Sequence, residues 1–354
     1  MCGIVGYWNT ENPALDIVVD SLKRLEYRGY DSFGIAVVSE LEEKKYFIEK
    51  QLGKISSAKL DEEFEGKIGI GHTRWATHGR VTEKNTHPHT DCKERFIVVH
   101  NGIIENSDEL KKSLMEKDHV FKSETDTEVI PHLIEDIVLE MIKVKGESDL
   151  KKAVIKTGEF LKGRNAFVVL DSVSKEMVAF RNGSPLIVGV VKSTEDKNKE
   201  KTKEVFIASD IQAFLHKTKD IMYLDDKQIV VIKEKPEFFD IKTGERIEKR
   251  LIKIDIDSSE SEKGDYSHFM LKEIMEQKET LIKAINQDEN ELKHVVEEIN
   301  NAKGVFFIGC GTAARVCHTA EYVFSKIANK HVNYVPASEF ENYKDFLLPE
   351  SLGH

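Results

Sequence analysis

Cysteine is scarce in this chain: Cys2, Cys92, Cys310 and Cys317 are the only four in 354 residues, with no CxxC pair and no framework spacing. That excludes a small disulfide-stapled scaffold and predicts a reducing, cytoplasmic setting. No apolar run approaches the ~20 residues of a membrane-spanning helix. The opening Met1-Cys2-Gly3-Ile4 also lacks the basic start of a signal peptide, so no membrane contact is expected. Basic surface is lacking as well. The net charge is −11, and no basic stripe with interleaved aromatics runs through the chain, which argues against nucleic acid as a partner. What is present is an ordinary soluble composition. Residues that are 40% hydrophobic and 32% charged supply ample core, and the length asks for two domains.

Hydrophobic periodicity orders the chain. Residues 3–8 read as a short buried strand, and residues 14–25 as an amphipathic helix with Leu15, Val18, Val19, Leu22 and Leu25 on one face. The polar and aromatic loop Leu25-Glu26-Tyr27-Arg28-Gly29-Tyr30-Asp31-Ser32 leads into a strand over 34–38 and a charged hairpin. Two short apolar runs, 68–72 and 96–100, each end in a histidine. Helices are predicted over 105–116, 126–143 and 151–161, and strands over 166–171, 176–180, 186–191, 204–207 and 228–232. Helices early and strands late predict a layered α+β domain on largely antiparallel sheet. A hairpin over 241–256 turns at Thr243-Gly244, and the apolar-free stretch 257–264 is the best linker. Beyond it come a helix, a buried strand over 304–308, the turn Gly309-Cys310-Gly311-Thr312 and a helix over 313–328, the opening of an α/β domain. The expected division is 1–238, then hairpin and linker over 239–264, then 265–354.

Several residues carry chemistry. Removal of one methionine makes Cys2 the amino terminus, with a thiol and a primary amine on one residue. A free α-amine titrates near pH ~8, so it can take the thiol proton and return it to a leaving group. The alternative is that Cys2 is a small buried hydrophobe. In His72-Thr73-Arg74-Trp75-Ala76-Thr77-His78-Gly79, Arg74 suits a carboxylate through its bidentate fork, or a surface ion pair. The Asn101 side-chain amide and the Gly102 N–H are two donors in a tight turn, parts for an oxyanion hole or simply a turn. Asp126 can hold an ammonium group or cap a helix. Five of the 13 histidines lie between His72 and His100, including His87-Pro88-His89, which raises zinc. With no cysteine or carboxylate at a structural-zinc spacing, core hydrogen bonding is the stronger reading, and neither metal nor cofactor is expected. Gly309-x-Gly311-x-x-Ala314 follows a strand and fits a dinucleotide fingerprint in part, but the acid expected about 20 residues later is not clearly placed.

In their order along the chain, Cys2 to Gly6, Leu25 to Ser32, Gly71 to Gly79, His87-Pro88-His89, Val98 to Asn106 and Ser123 to Val129 resemble one known domain. It is the glutaminase domain of the glutamine–fructose-6-phosphate aminotransferase family. Phe180-Arg181-Asn182-Gly183-Ser184-Pro185-Leu186, Ile207-Ala208-Ser209-Asp210 and Tyr266 to Ile274 extend the resemblance, which runs from Cys2 to about Phe340. It implies an N-terminal-nucleophile (Ntn) fold, a four-layer αββα sandwich, in which Cys2 attacks the side-chain amide of L-glutamine. Asn101 and Gly102 would hold the oxyanion, Arg74 and Thr77 the α-carboxylate, and Asp126 the α-ammonium. Trp75 would lie on the loop that closes over glutamine and gates ammonia toward the second domain, and His78 would be among the glutamine-binding residues. The later residues resemble the first part of a sugar isomerase (SIS) domain, with Cys310, Gly311 and Thr312 at a sugar-phosphate pocket. Two positions depart from the family pattern: Phe33 replaces its usual alanine and Ala313 its usual serine. The family's serine-rich phosphate loop would follow Pro349, so the SIS domain is expected to be incomplete and loosely packed after Gly304. Glutamine hydrolysis without glucosamine 6-phosphate formation is the expectation for this chain alone, with fructose 6-phosphate and a homodimer as the family's acceptor and assembly. Two other readings stand beside it: a non-catalytic glutamine-binding chain paired with a separate isomerase subunit, and a dinucleotide-dependent enzyme.

Overall fold

The computed structural model describes residues 2–11, 13–39, 46–58, 64–76, 79–193, 201–233, 235–255, 266–267 and 269–347. It divides into two compact units, Met1–Gly264 and Asp265–His354. The expected linker over 257–264 and the turn of the charged hairpin lie outside the described residues.

The first unit begins with β1 (Gly3–Asn9), α1 (Ala14–Arg24), β2 (Ser32–Val38), β3 (Tyr46–Leu52), β4 (Ile68–Arg74), β5 (His89–Thr90) and β6 (Phe96–Gly102). Three helices follow, α2 (Ser107–Met115), α3 (Val129–Lys145) and α4 (Leu150–Phe160). Then come β7 (Asn165–Asp171), β8 (Met177–Asn182), β9 (Ile187–Ser193), β10 (Lys201–Ala208), β11 (Asp220–Tyr223) and β12 (Gln228–Ile232). The last strands of this unit are β13 (Pro236–Asp240), β14 (Arg246–Ile247) and β15 (Ile252–Lys253).

Two antiparallel sheets result, one of eight strands in the order β15-β11-β9-β10-β1-β4-β2-β3 and one of seven in the order β14-β13-β12-β8-β7-β6-β5. Their stacking follows from the alternation of side chains along each strand. Ile4, Ala36 and Ile70 from the first sheet meet Ile97, Val99, Val168 and Ala179 from the second in one buried layer. The neighbouring residues Val5, Tyr7, Ile35 and Val37 point the other way and pack on Leu15, Val18 and Leu22 of α1. Val98, Phe167 and Val178 likewise meet Ile130 and Ile134 of α3 and Val154 of α4. Helix, sheet, sheet and helix therefore stack as the αββα sandwich that the resemblance implied.

The hairpin expected over 241–256 sits earlier. Phe238 pairs with Ile247 and Phe239 with Arg246, so its first strand is β13. The turn is nonetheless near Gly244, whose φ of 70° suits glycine.

The second unit contains α5 (Phe269–Ile285), α6 (Glu289–Asn301), β16 (Phe306–Gly309), α7 (Gly311–Val323) and β17 (Asn333–Pro336). β16 and β17 pair in parallel, as an α/β opening requires. The strand expected to be buried is only half-covered, with Ile308 41% exposed. Among the described residues β17 is its one paired neighbour.

Candidate active site

β1 runs through the interior of the eight-stranded sheet, with Gly3 opposite Thr73 of β4 and Val5 opposite Ala208 of β10. Cys2 thus emerges from the middle of a sheet. The Ile4 N–H donates to Ser209 Oγ at 2.9 Å, and Ser209 N–H returns to the Ile4 carbonyl at 3.1 Å. Gly3 N–H donates to Thr73 Oγ1 at 3.2 Å. A Cβ on Gly3 would come within 2.5 Å of that same hydroxyl, so glycine is what lets the strand close here.

The Cys2 Sγ accepts the Trp75 N–H at 3.2 Å and lies 3.4 Å from the Trp75 carbonyl. Burial pushes its thiol up from the ordinary value, opposed in part by the Trp75 hydrogen bond. The resting group is therefore a thiol that needs a base.

Asn101, next to last in β6, lies beside it, and its Nδ2 donates to the Cys2 carbonyl at 2.9 Å. Asn101 Oδ1 is 3.1 Å from His72 Nε2. His72 is fully buried, and burial drives its pKa down to about 3, so the ring is neutral and Nε2–H donates. Gly102 has a φ of 127°, and a Cβ there would meet the Arg164 carbonyl oxygen at 2.0 Å. No other residue fits that turn without moving the backbone.

Cys2, Arg74, Trp75, Asn101, Gly102 and Asp126 all line one cavity of about 210 Å³. Arg74 is buried, and its guanidinium donates to the Arg80 and Gly79 carbonyls at 3.2 and 3.3 Å. Asp126 does not cap α3. Its Oδ2 accepts the Ile104 N–H at 2.8 Å, which fixes the carboxylate at the cavity wall. Trp75 is 45% exposed at the cavity mouth, edge-on to the Tyr30 ring at 5.3 Å. Thr77 and His78 lie outside the described residues. Cys310, Gly311 and Thr312 belong to the second unit, at the turn from β16 into α7, where Gly311 has a φ of 56°.

Arg28 and Ser184-Pro185 also line the cavity, although composition and spacing gave them no role. Arg28 pairs with Asp210 at 2.5 Å, and Tyr27 donates to the same carboxylate at 2.9 Å. The motifs around them were the available signal. His72, His87, His89 and His100 act as core hydrogen-bonders. His87 stacks on His72 at 4.2 Å and accepts the His100 N–H, His89 meets Thr125 Oγ1 at 3.0 Å, and His100 bridges Thr127 and Asn165.

A stacked αββα core with a cysteine at the start of a central strand defines an Ntn glutamine amidotransferase domain, and residues 72–216 match the family described as a glutamine amidotransferase domain. The fold is also that of glutamine phosphoribosylpyrophosphate amidotransferase from B. subtilis, solved in complex with ADP and GMP. The TM-score is 0.52 at 25% identity, covering 68% of this chain and 49% of that one. More particularly, the chain is a homologue of glutamine–fructose-6-phosphate aminotransferase (isomerizing). It is 42% identical to the protein of that name from Methanococcus maripaludis, over 96% of this chain and 55% of that one. The Pyrococcus horikoshii protein is likewise 42% identical, over 99% of this chain and 56% of that one. The chain spans about half the length of the curated relatives it matches. These relatives bear out the resemblance read from the sequence.

Proposed function

We propose that this chain hydrolyses the side-chain amide of L-glutamine through Cys2. The observation that carries the reading is the position of Cys2 Sγ in a cavity whose wall also presents the Asn101 amide, Arg74 and Asp126. With Met1 removed, the Cys2 α-amine takes the thiol proton, and Sγ attacks the amide carbon of glutamine. The oxygen becomes an oxyanion held by Asn101 Nδ2 and the Gly102 N–H. Nδ2 carries two hydrogens, so donation to the Cys2 carbonyl leaves one for substrate. Collapse of the tetrahedral species breaks the C–N bond, the ammonium proton goes to the leaving nitrogen, and ammonia departs from a thioester. Water then attacks the thioester, releasing glutamate and restoring the thiol. Arg74 and Thr77 bind the α-carboxylate, Asp126 the α-ammonium, and Trp75 with His78 covers the bound substrate.

The ammonia serves amino-sugar synthesis, with fructose 6-phosphate as acceptor and glucosamine 6-phosphate as product, in a cytoplasmic homodimer. Cys310, Gly311 and Thr312 are the sugar-phosphate end of this reading, since the first N–H groups of a helix favour a phosphate. The names of the relatives support the acceptor. Amide-labelled glutamine tests both steps. Label in free ammonia reports the Cys2 reaction, and label in glucosamine 6-phosphate reports transfer. Cys2→Ala and Cys2→Ser are expected to abolish glutamate formation while keeping glutamine binding. A Cys2→Ala protein working near the parent rate would refute the proposal.

A further inference from the structure

A second cluster of reactive side chains lies outside the cavity. Cys92 occupies the turn between β5 and β6, His119 follows α2, and His132 and Glu135 stand one turn apart on α3. One donor atom from each converges with the others, all within 4.8 Å of one another. Cys92 Sγ is 3.8 Å from His119 Nδ1 and 3.5 Å from His132 Nδ1. The two Nδ1 atoms are 3.3 Å apart. Glu135 Oε2 is 3.2 Å from His119 Nδ1 and 3.8 Å from His132 Nδ1. Four ligands bonded at about 2.0–2.3 Å to a tetrahedral zinc ion stand about 3.3–3.8 Å apart. The five distances above fall at about that spacing, and the sixth pair, Cys92 Sγ with Glu135 Oε2, lies within 4.8 Å. We propose that Cys92, His119, His132 and Glu135 bind one structural zinc ion.

Hydrogen bonding alone accounts poorly for the arrangement. A neutral imidazole nitrogen has either one proton or one lone pair, yet His119 Nδ1 faces a second Nδ1, a carboxylate oxygen and a sulfur at once. A cation at the centre gives the four converging atoms a common partner, while Glu135 Oε2 also accepts the Cys92 N–H at 3.2 Å. Thiolate and carboxylate together carry two negative charges, which a dication neutralises. A donor set of one thiolate, two imidazoles and a carboxylate favours zinc among the common divalent metals. The surroundings match as well. His132 Nε2 lies 3.7 Å from Glu128 Oε1 and His119 Nε2 3.9 Å from Asp136 Oδ1, so each ring has a carboxylate behind it. Val120 N–H donates to Cys92 Sγ at 3.4 Å, as suits a thiolate ligand. Cys92 is exposed while the other three ligands are buried, which gives the ion a way in.

All four positions are filled by protein, so the ion is structural: with no open position it has no place for substrate. It ties the β5–β6 turn and the segment after α2 to α3. That segment continues to Thr125, Asp126 and Thr127 at the glutamine cavity.

The test uses the full chain purified without chelator. Elemental analysis is expected to give one zinc per chain, and none, or a different metal, overturns the proposal. Protein loaded with Co²⁺ alone is expected to show tetrahedral d–d bands and a thiolate-to-cobalt charge-transfer band. Cys92→Ser, a change near the surface, should remove the charge-transfer band, and an unchanged spectrum would also overturn the assignment. His132→Ala should lose the metal. If that variant does not fold, chelation of the parent protein provides the second reading. The melting temperature should fall on chelation and recover with zinc, whereas the Cys92→Ser protein should respond much less.

Discussion

Asn101 holds its place through two contacts, an Oδ1 that accepts from neutral His72 and an Nδ2 that donates to Cys2. In the role proposed for it, truncation removes a donor aimed at charge that exists only in the transition state. Asn101→Ala is therefore expected to lower kcat by roughly 10²–10³-fold with little change in KM, read from steady-state glutaminase kinetics. Arg74→Lys should do the opposite, raising KM more than it lowers kcat, because an ammonium cannot reproduce the guanidinium fork. A reversed pattern in the two variants would reassign both residues. Residue type made Cys2, Arg74 and Asn101 candidates, whereas their convergence on one cavity was not legible in the sequence. The contact between Asn101 and Cys2 depends on how β6 lies across β1 in the opposite sheet, and no local pattern encodes that.

Elements were legible where burial imposes a period. The helical face of α1 and the strands β1 and β12 follow directly from their apolar spacing. β13 was missed because it opens with Pro236, a residue that reads as punctuation, although it pairs along its whole length with β12 as well as with the two-residue β14. The zinc ligands were hidden for a related reason. Two of them sit in connections, and only the His132-x-x-Glu135 pair has a helical spacing that sequence could flag. Close approach between elements gives a test of its own. A Cβ on Gly34 of β2 would meet the His87 carbonyl oxygen at 2.0 Å. Gly34→Ala should destabilise the first unit by about 1–3 kcal/mol or more, measured by urea denaturation. A variant of unchanged stability would mean that this contact relaxes freely.

For the molecule as a whole, acid is the informative variable. His72, His87, His89 and His100 are fully buried, and burial holds each below the ordinary histidine range. The unfolded chain takes up protons on these rings below pH ~6.5, and the folded chain does not until lower pH. Stability contributed by such groups is complete above that pH and is lost as pH falls, with a slope of up to ~1.4 kcal/mol per pH unit for each ring. The melting temperature of the first unit should therefore drop clearly between about pH 7 and pH 5. A flat profile would show that the four rings are protonated equally in both states. Among the described residues no helix is long and apolar enough to cross a membrane.

The place of β1 also has a consequence in time. It lies between β4 and β10, and its residue Val5 waits for Ala208 as partner. At translation rates of about 5–20 residues per second, the second edge of β1 stays open for roughly 10–40 s after it is made. Throughout that interval the strand that follows Cys2 keeps one apolar edge open, available to anything that offers a β-edge. β1 is thus made early and secured late, and a ribosome pause before β10 would prolong the exposure of the strand that the cavity is built on.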